Sequence, residues 1–177
     1  MTKFSVIERS FRFKTPFVIS GHVFKTSDVV QVTVKEDGFI GHGEASGVYF
    51  TGETTATIKA QIEAYLGNAA NPLSFDRLNA ELPSGGARNA LDCALWDLEC
   101  KRRNTRIWDL VNVNVRELQT VMTVGLDSPD NMGRAAAKAG PAKILKLKLG
   151  PDDPIGCTRV VREQRPDVDL IVDINQG

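Results

Sequence analysis

Three short apolar runs near the end of the chain constrain its fold more than any other feature. They read LQTVMTVGL (118–126), KILKLKLG (143–150) and DLIVDINQG (169–177). They begin about 25 residues apart, and a helix-like stretch fills each gap. This order predicts right-handed crossovers and a parallel sheet. Because parallel strands are usually nearly continuous apolar runs, the lysines in the second run need an explanation.

Side chains alternate between the two faces of a strand, which predicts where these lysines point. In 143–149 the three leucines share one face, and Ile144, Lys146 and Lys148 share the other. The leucines would pack under the crossover helices. The opposite face is covered by further helices in an open sheet and is the interior in a closed barrel. In a barrel, residues at the C-terminal ends of the strands line the active-site mouth, and both lysines occupy that end.

The same alternation brings two other polar side chains toward the lysines. Asp173 lies at the C-terminal end of the third run, and Thr123 lies near the corresponding rim of the first. Burial and a neighbouring ammonium both disfavour a charged lysine, so Lys148 is a candidate base, with Lys146 attracting a substrate carboxylate. Asp173 could hold a divalent cation. The strand pattern leaves an alternative, in which both lysines reach solvent from an edge strand and Asp173 is a salt-bridge partner.

The first two thirds of the chain have a different pattern of apolar and polar residues. KFSVIERSFRFK (3–14) and DVVQVTVKEDGFIGHGEAS (28–46) alternate apolar and polar residues, with an Asp37-Gly38 turn. They predict a small antiparallel sheet, with TPFVISGHVFKT (15–26) as an irregular segment between its strands. Helical spacing follows in 54–66, in 74–82 with Ser74 as N-cap, and in 87–103.

Composition excludes several classes of partner. The 22 basic and 22 acidic residues balance, so charge gives no reason to expect nucleic acid or a membrane surface. No apolar run approaches the about 18 residues of a spanning helix, and the first residues lack the apolar region of a signal peptide. Three cysteines without metal-ligand spacing are typical of a reducing compartment. We therefore expect a cytoplasmic protein.

Six segments, in this order and spacing, resemble one known family. The sequence is similar to the muconate-lactonizing subgroup of the enolase superfamily, and most of all to its dipeptide epimerases. The resemblance implies an α+β capping domain over 1–117, followed by an α/β part, a (β/α) TIM-type barrel of which 118–177 supplies the first three strands. The segments are TPFVIS (15–20), GHGEAS (41–46), LPSGGARNALDCALWDLECKR (82–102), TVMT (120–123), KLKLG (146–150) and LIVDINQG (170–177).

The resemblance also implies an activity and a role for each candidate residue. The activity is a Mg²⁺-dependent racemisation or epimerisation, through an enediolate, of a dipeptide or an N-acyl amino acid. Lys148 corresponds to an acid/base facing the substrate α-carbon, and Lys146 lies beside it near the substrate carboxylate. Asp173 corresponds to the first Mg²⁺ ligand, and Thr123 to a substrate contact. Asn175 matches the motif as a neighbour of the ligands.

This sequence departs from the family pattern in two respects. The chain ends after three of the eight strands that a barrel needs. We therefore expect a piece of a longer protein, inactive alone and a homo-oligomer when full length.

The second departure concerns the substrate. In epimerases acting on Ala-Glu, the loop after TPFVI carries an arginine for the substrate's side-chain carboxylate. Here it reads SGHVFK, in which Lys25 is the fixed charge and Phe24, with Phe17, favours an apolar side chain. We predict a dipeptide substrate that is not strictly Ala-Glu, and His22 is a further possible contact.

Two other functions remain open at this point. Other enzymes of the subgroup, such as o-succinylbenzoate synthase, N-acylamino acid racemase or a cycloisomerase, use the same lysines. A non-catalytic binding or assembly module, made of the cap and a partial barrel, belongs to another class of protein.

Overall fold

The computed structural model describes residues 2–68 and 73–174. Its contacts divide the chain into two compact units, Met1–Phe11 with Ser27–Val115 and Arg12–Thr26 with Arg116–Gly177. The second unit thus includes residues 12–26, which precede most of the first. The predicted division into domains 1–117 and 118–177 stays a prediction.

The sheet formed by the N-terminal strands consists of β1 (Lys3–Ile19), β2 (His22–Glu36) and β3 (Phe39–Ser46), in the order β1-β2-β3. Strands β2 and β3 are antiparallel, and Glu36 pairs with Phe39 around the Asp37-Gly38 turn. Asp37 has a φ of 50° and Gly38 a φ of 85°, the positive values that a tight two-residue hairpin turn requires. The predicted hairpin is confirmed.

The prediction of an irregular segment over 15–26 is wrong. Strands β1 and β2 continue through it and leave only the turn Ser20-Gly21, where Gly21 has a φ of 73°. Valine, isoleucine, phenylalanine and threonine dominate this segment, and these residues favour strands. Pro16 is tolerated because β1 lies at an end of the strand order.

The helices of the first unit pack on this sheet or on one another. α1 is Thr55–Asn68, α2 is Phe75–Glu81, α3 is Gly86–Arg102 and α4 is Ile107–Leu110, with a 3-10 turn at Tyr49–Thr51. The predicted cap of α2 is present, because the Ser74 hydroxyl accepts a hydrogen bond from the Arg77 amide. The apolar stripe of α3 is buried with the valines of β2 and two isoleucines of α1. These core residues include Val30, Val32, Val34, Ile58, Ile62, Leu91, Ala94, Leu95 and Leu98.

The second unit contains the predicted parallel sheet. Its strands are β4 (Val121–Val124), β5 (Ile144–Lys148) and β6 (Asp169–Asp173), in the order β4-β5-β6. The crossover helices are α5 (Pro129–Ala137) and α6 (Pro154–Gln164). Asp153 caps α6 by accepting a hydrogen bond from the Gly156 amide. The core of this unit is separate from that of the first and includes Val124, Met132, Leu145, Leu147, Leu149 and Val161.

None of the helices within residues 2–68 and 73–174 has the length and apolar character needed to cross a membrane.

Candidate functional site

Strand β5 separates its leucines from its lysines as the sequence predicts. Leu145 and Leu147 are fully buried on the helix-covered side. On the other side, the strand register pairs Lys146 with Thr123 of β4, and Lys148 with Asp173 of β6. Paired residues of neighbouring parallel strands point to the same face of the sheet. The four polar side chains therefore share one face, toward the C-terminal ends of the strands.

The Asp173 carboxylate joins the two lysines. Its Oδ2 lies 2.7 Å from Lys148 Nζ and 2.8 Å from Lys146 Nζ. The Lys148 side chain is only 12% exposed, against 35% for Lys146 and 24% for Asp173. The hydrogen bond from Lys148 is charge-assisted and therefore strong, and together with the ion pair to Lys146 it holds both amines on one side of the sheet.

The alternative in which the lysines reach solvent from an edge strand is wrong, although the ion pair that it included is present. β5 is the central strand of the order β4-β5-β6. Lys148 is largely buried between its neighbours, as its exposure shows. An amine in this position has lost most of its contact with bulk water, and it faces the same side as a carboxylate and a second amine.

The structure describes Thr123 but not Asn175. Thr123 lies on the same face as Lys146, one strand away, and its side chain is exposed. The substrate contact predicted for it stays a prediction. Asn175 lies outside the described residues.

The tip of the β1–β2 hairpin reaches the end of β4. The Leu126 amide donates a hydrogen bond of 3.0 Å to the Val18 carbonyl oxygen. Leu126 follows β4 by two residues, so the hairpin tip, which belongs to the same unit, lies at the end of the sheet where Lys148 and Asp173 lie. The sequence carried no signal for this backbone contact, because neither residue type requires it.

Aromatic rings cluster at the hairpin tip. The rings of Phe17 and Phe24 stack with their centroids 6.1 Å apart, and the His22 ring lies 4.2 Å from that of Phe24. An apolar surface with one imidazole therefore occupies the segment for which substrate contacts were predicted.

Lys25 does not belong to this cluster. Phe24 and Lys25 are consecutive residues of β2, so their side chains leave opposite faces of the hairpin. Lys25 is exposed, whereas Phe24 is partly buried. The substrate contacts predicted for Phe24 and Lys25 stay predictions.

Asp173 is suited to Mg²⁺ but is an incomplete site. Within residues 2–68 and 73–174, no group of three or more His, Cys, Asp or Glu side chains could hold a metal ion. Mg²⁺ prefers oxygen ligands and often takes only one or two protein carboxylates, completed by waters and substrate oxygens. The Asp173 carboxylate, already positioned by two amines, fits the role of one such ligand.

Comparisons with known proteins agree with the geometry. The N-terminal domain of the mandelate racemase / muconate lactonizing enzyme family matches residues 1–112. The L-Ala-D/L-Glu epimerase of Escherichia coli K12 is 38% identical, over 100% of this chain and 56% of the relative.

Two solved structures share the fold. An enolase family member from Agrobacterium tumefaciens with homology to dipeptide epimerases, with bound sodium and L-Ala-L-Glu, has a TM-score of 0.93 at 32% identity. The match covers 100% of this chain and 55% of that one. The dipeptide epimerase of Enterococcus faecalis V583, complexed with Mg and L-Leu-L-Tyr, has a TM-score of 0.87 at 25% identity, covering 97% of this chain and 52% of that one.

The chain spans about half the length of these relatives. Residues 1–112 match a family domain, and the order of the motifs, the two sheets of the described residues and the paired lysines agree with that match. The chain belongs to the mandelate racemase / muconate lactonizing enzyme family of the enolase superfamily.

Proposed function

We propose that this chain is part of a Mg²⁺-dependent epimerase that moves the α-proton of the C-terminal residue of a dipeptide. The observation that carries the proposal is the shared face of Lys146, Lys148 and Asp173 at the C-terminal end of the parallel sheet. Two amines and one carboxylate within hydrogen-bonding distance supply a proton acceptor, a fixed positive charge and an oxygen ligand.

Lys148 is the proposed acid/base. It is the more buried amine, and a base shielded from water exchanges its proton with the substrate rather than with solvent. Lys146 is more exposed and stays beside it as a positive charge for the substrate carboxylate. The α-proton passes to Lys148 Nζ, which acts as the neutral amine, and the electron pair of the broken Cα–H bond moves to the substrate carboxylate, giving an enediolate. The return of a proton from the opposite face needs a second acid, which we expect in the remainder of the protein.

Asp173 is the proposed ligand of Mg²⁺ in this chain. A divalent cation bound there supplies stabilisation of the negative charge that develops on the substrate carboxylate. The relative from Enterococcus faecalis, complexed with Mg and a dipeptide, supports this assignment. The oxygen chemistry of the Asp173 side chain supports it independently.

We infer a dipeptide substrate with an apolar side chain at the residue that is epimerised. Phe17 and Phe24 form an aromatic surface at the hairpin tip, next to the end of β4. The exposed Lys25 leaves the other face of β2 and is not available there. The L-Leu-L-Tyr complex of the relative from Enterococcus faecalis supports an apolar substrate, whereas the Escherichia coli relative acts on Ala-Glu.

The decisive experiment follows α-hydrogen exchange of L,L-dipeptides in D₂O with the whole protein. Lys148→Ala should slow the exchange by about a thousandfold, because removing a positioned general base costs about 10²–10⁴ in rate. Lys143→Ala, which removes an exposed lysine just before β5, should leave the rate near that of the wild type. Exchange at the wild-type rate in Lys148→Ala would show that this lysine is not the base.

A substrate comparison separates the proposed specificity from its alternatives. The ratio of kcat/KM for L-Ala-L-Phe to that for L-Ala-L-Glu should exceed one, and Phe24→Ala should lower it. A ratio of kcat/KM values below one would instead assign the protein to the epimerases that act on Ala-Glu. Dehydration of the o-succinylbenzoate precursor, without epimerised dipeptide, would favour the o-succinylbenzoate synthase alternative.

We also propose that the whole protein is cytoplasmic and forms a homo-oligomer. Free thiols at Cys93, Cys100 and Cys157 support a reducing compartment. Sedimentation velocity of the whole protein measures its oligomeric state directly.

A further inference from the structure

Strand β3 lies at one end of the described order β1-β2-β3, so one side of its backbone faces no strand of that sheet. In an antiparallel strand, alternate residues direct their N–H and C=O groups toward the neighbouring strand. The turn is closed by the pair Glu36 and Phe39, so the odd-numbered residues of β3 bond to β2. The even-numbered residues Ile40, His42 and Glu44 therefore point their backbone groups outward.

Side chains of α3 bond to these outward groups. The His42 amide donates a hydrogen bond of 2.7 Å to Asp97 Oδ2. Lys101 Nζ donates to the Ile40 carbonyl oxygen at 2.9 Å, and Asn89 Nδ2 donates to that of Glu44 at 3.1 Å. The three side chains act where the backbone of a further strand would otherwise pair.

Two of these side chains also support each other. Lys101 Nζ lies 2.6 Å from Asp97 Oδ2, the same oxygen that accepts the His42 amide. Charge-assisted hydrogen bonds are stronger than bonds between neutral groups. The contact with the strand edge therefore depends on Asp97 and Lys101 as a pair.

The close approach of α3 makes these contacts possible. A Cβ atom on Gly41 would lie 2.2 Å from the Ala94 carbonyl oxygen, and one on Gly43 would lie 1.9 Å from that of Ala90. No real Cβ atom tolerates such distances to a backbone oxygen. Glycine at both positions thus allows the helix backbone to lie directly on β3.

We propose that the outward edge of β3 is a latent strand-pairing surface, held closed by Asn89, Asp97 and Lys101, and that its partner when open is the same edge of a second copy of this chain. Exposed sheet edges recruit other strands through their donors and acceptors, and proteins often block them with charged side chains.

A second copy fits this edge because the edge is complementary to itself. Antiparallel pairing about His42 places Ile40 opposite Glu44 and Gly41 opposite Gly43, with each outward donor facing an acceptor. Phe39 and Ile40 are exposed apolar residues at the start of the same strand, and burying them would favour association.

The test uses the whole protein with Asp97→Ala/Lys101→Ala, which removes the charged pair from the edge. The matched control is Glu99→Ala/Arg103→Ala, which removes an ion pair of the same spacing at the C-terminal end of the same helix. Exchange of the His42 amide with solvent should become about tenfold faster in the first variant and remain near the wild-type rate in the control. Sedimentation velocity should then show a mass above that of the wild type that rises with concentration.

Adding a block to the opened edge tests the surface itself. His42→Pro removes the outward donor without removing a bond of the β2–β3 ladder, so it should return the variant to the wild-type mass. Ile40→Lys places a charge on the edge and should do the same if the proline variant does not fold. An unchanged mass when the His42 amide exchanges fast would overturn the proposal. So would association that persists with either block, or an equal rise in mass in the control.

Discussion

The Asp173 carboxylate shows how one side chain organises a site. It accepts a hydrogen bond from Lys148 and forms an ion pair with Lys146, which lies two residues away on the same neighbouring strand. Without it, two ammonium groups would share a partly buried surface, and the other carboxylate on this face of β6, Asp169, lies four residues away at the start of the strand. The carboxylate therefore contributes to stability in addition to its proposed role as a metal ligand.

We predict that Asp173→Asn lowers the free energy of unfolding by about 1–2 kcal/mol, since an amide cannot compensate two ammonium charges that are only partly screened by water. Asp169→Asn, at the exposed start of the same strand, should change it by less than about 0.5 kcal/mol. Urea unfolding measures both values. If Lys146→Met in the Asp173→Asn background recovers no stability, the charge argument is wrong.

Helix α5 begins with a local hydrogen-bonded turn that involves one carboxylate. Asp127 Oδ1 accepts hydrogen bonds from Asn131 Nδ2 at 2.8 Å and from the Ser128 amide at 2.7 Å. The Asn131 amide and then the Ser128 N–H stabilise the ionised form and lower the pKa of Asp127 below its usual range. This turn positions the helix that covers the leucine side of β5, and so links the start of a helix to the sheet that carries the lysines.

The lowered pKa of Asp127 predicts a pH-dependent contribution to stability. Because the folded pKa lies below the unfolded value of about 3.9, the carboxylate stabilises the folded chain above that pH and loses this effect as the pH falls through the folded pKa. Asp127→Asn should thus lower the Tm at pH 7, and the difference from wild type should shrink below about pH 4. Thermal unfolding monitored by circular dichroism from pH 7 to pH 3 checks this. A difference that is constant over the whole range would contradict it.

The residues that the structure describes form two hydrophobic cores, one in each compact unit. Leu91 of α3 is fully buried in the first, and Leu147 of β5 is fully buried in the second. Within the described residues, the clusters share no member. Each core supports its own sheet, so loss of packing in one should act first on the elements around it.

We predict that Leu147→Ala and Leu91→Ala each destabilise their own unit, at a cost of about 2–5 kcal/mol for the cavity. Amide hydrogen exchange read by mass spectrometry should accelerate most in β4–β6, α5 and α6 for Leu147→Ala, and in β2, β3 and α1–α3 for Leu91→Ala. Equal acceleration in both units by both variants would instead mean that the chain opens as one cooperative body.

Local patterns predicted much of the fold and the placement of the polar residues. The two-residue period of KILKLKLG and DLIVD was enough to assign Lys146, Lys148 and Asp173 to a face opposite the leucines, because alternation is a property of a single extended strand. Asp37-Gly38 and Ser74 predicted a turn and a cap for the same reason, since each acts through its immediate neighbours. The motifs also predicted the family, which the match over 1–112 confirms.

Features that join distant segments could not be read from these patterns. Both amines contact one Asp173 oxygen because of the register of β5 against β6. The packing of the crossover helices sets this register. The continuation of β1 and β2 through 15–26, which separates Lys25 from Phe24, depends on strand pairing. The bonds from α3 to the edge of β3 require a helix to lie on Gly41 and Gly43. Backbone alternation is determined within a few residues, whereas the distance between two side chains far apart in the chain depends on how whole elements pack.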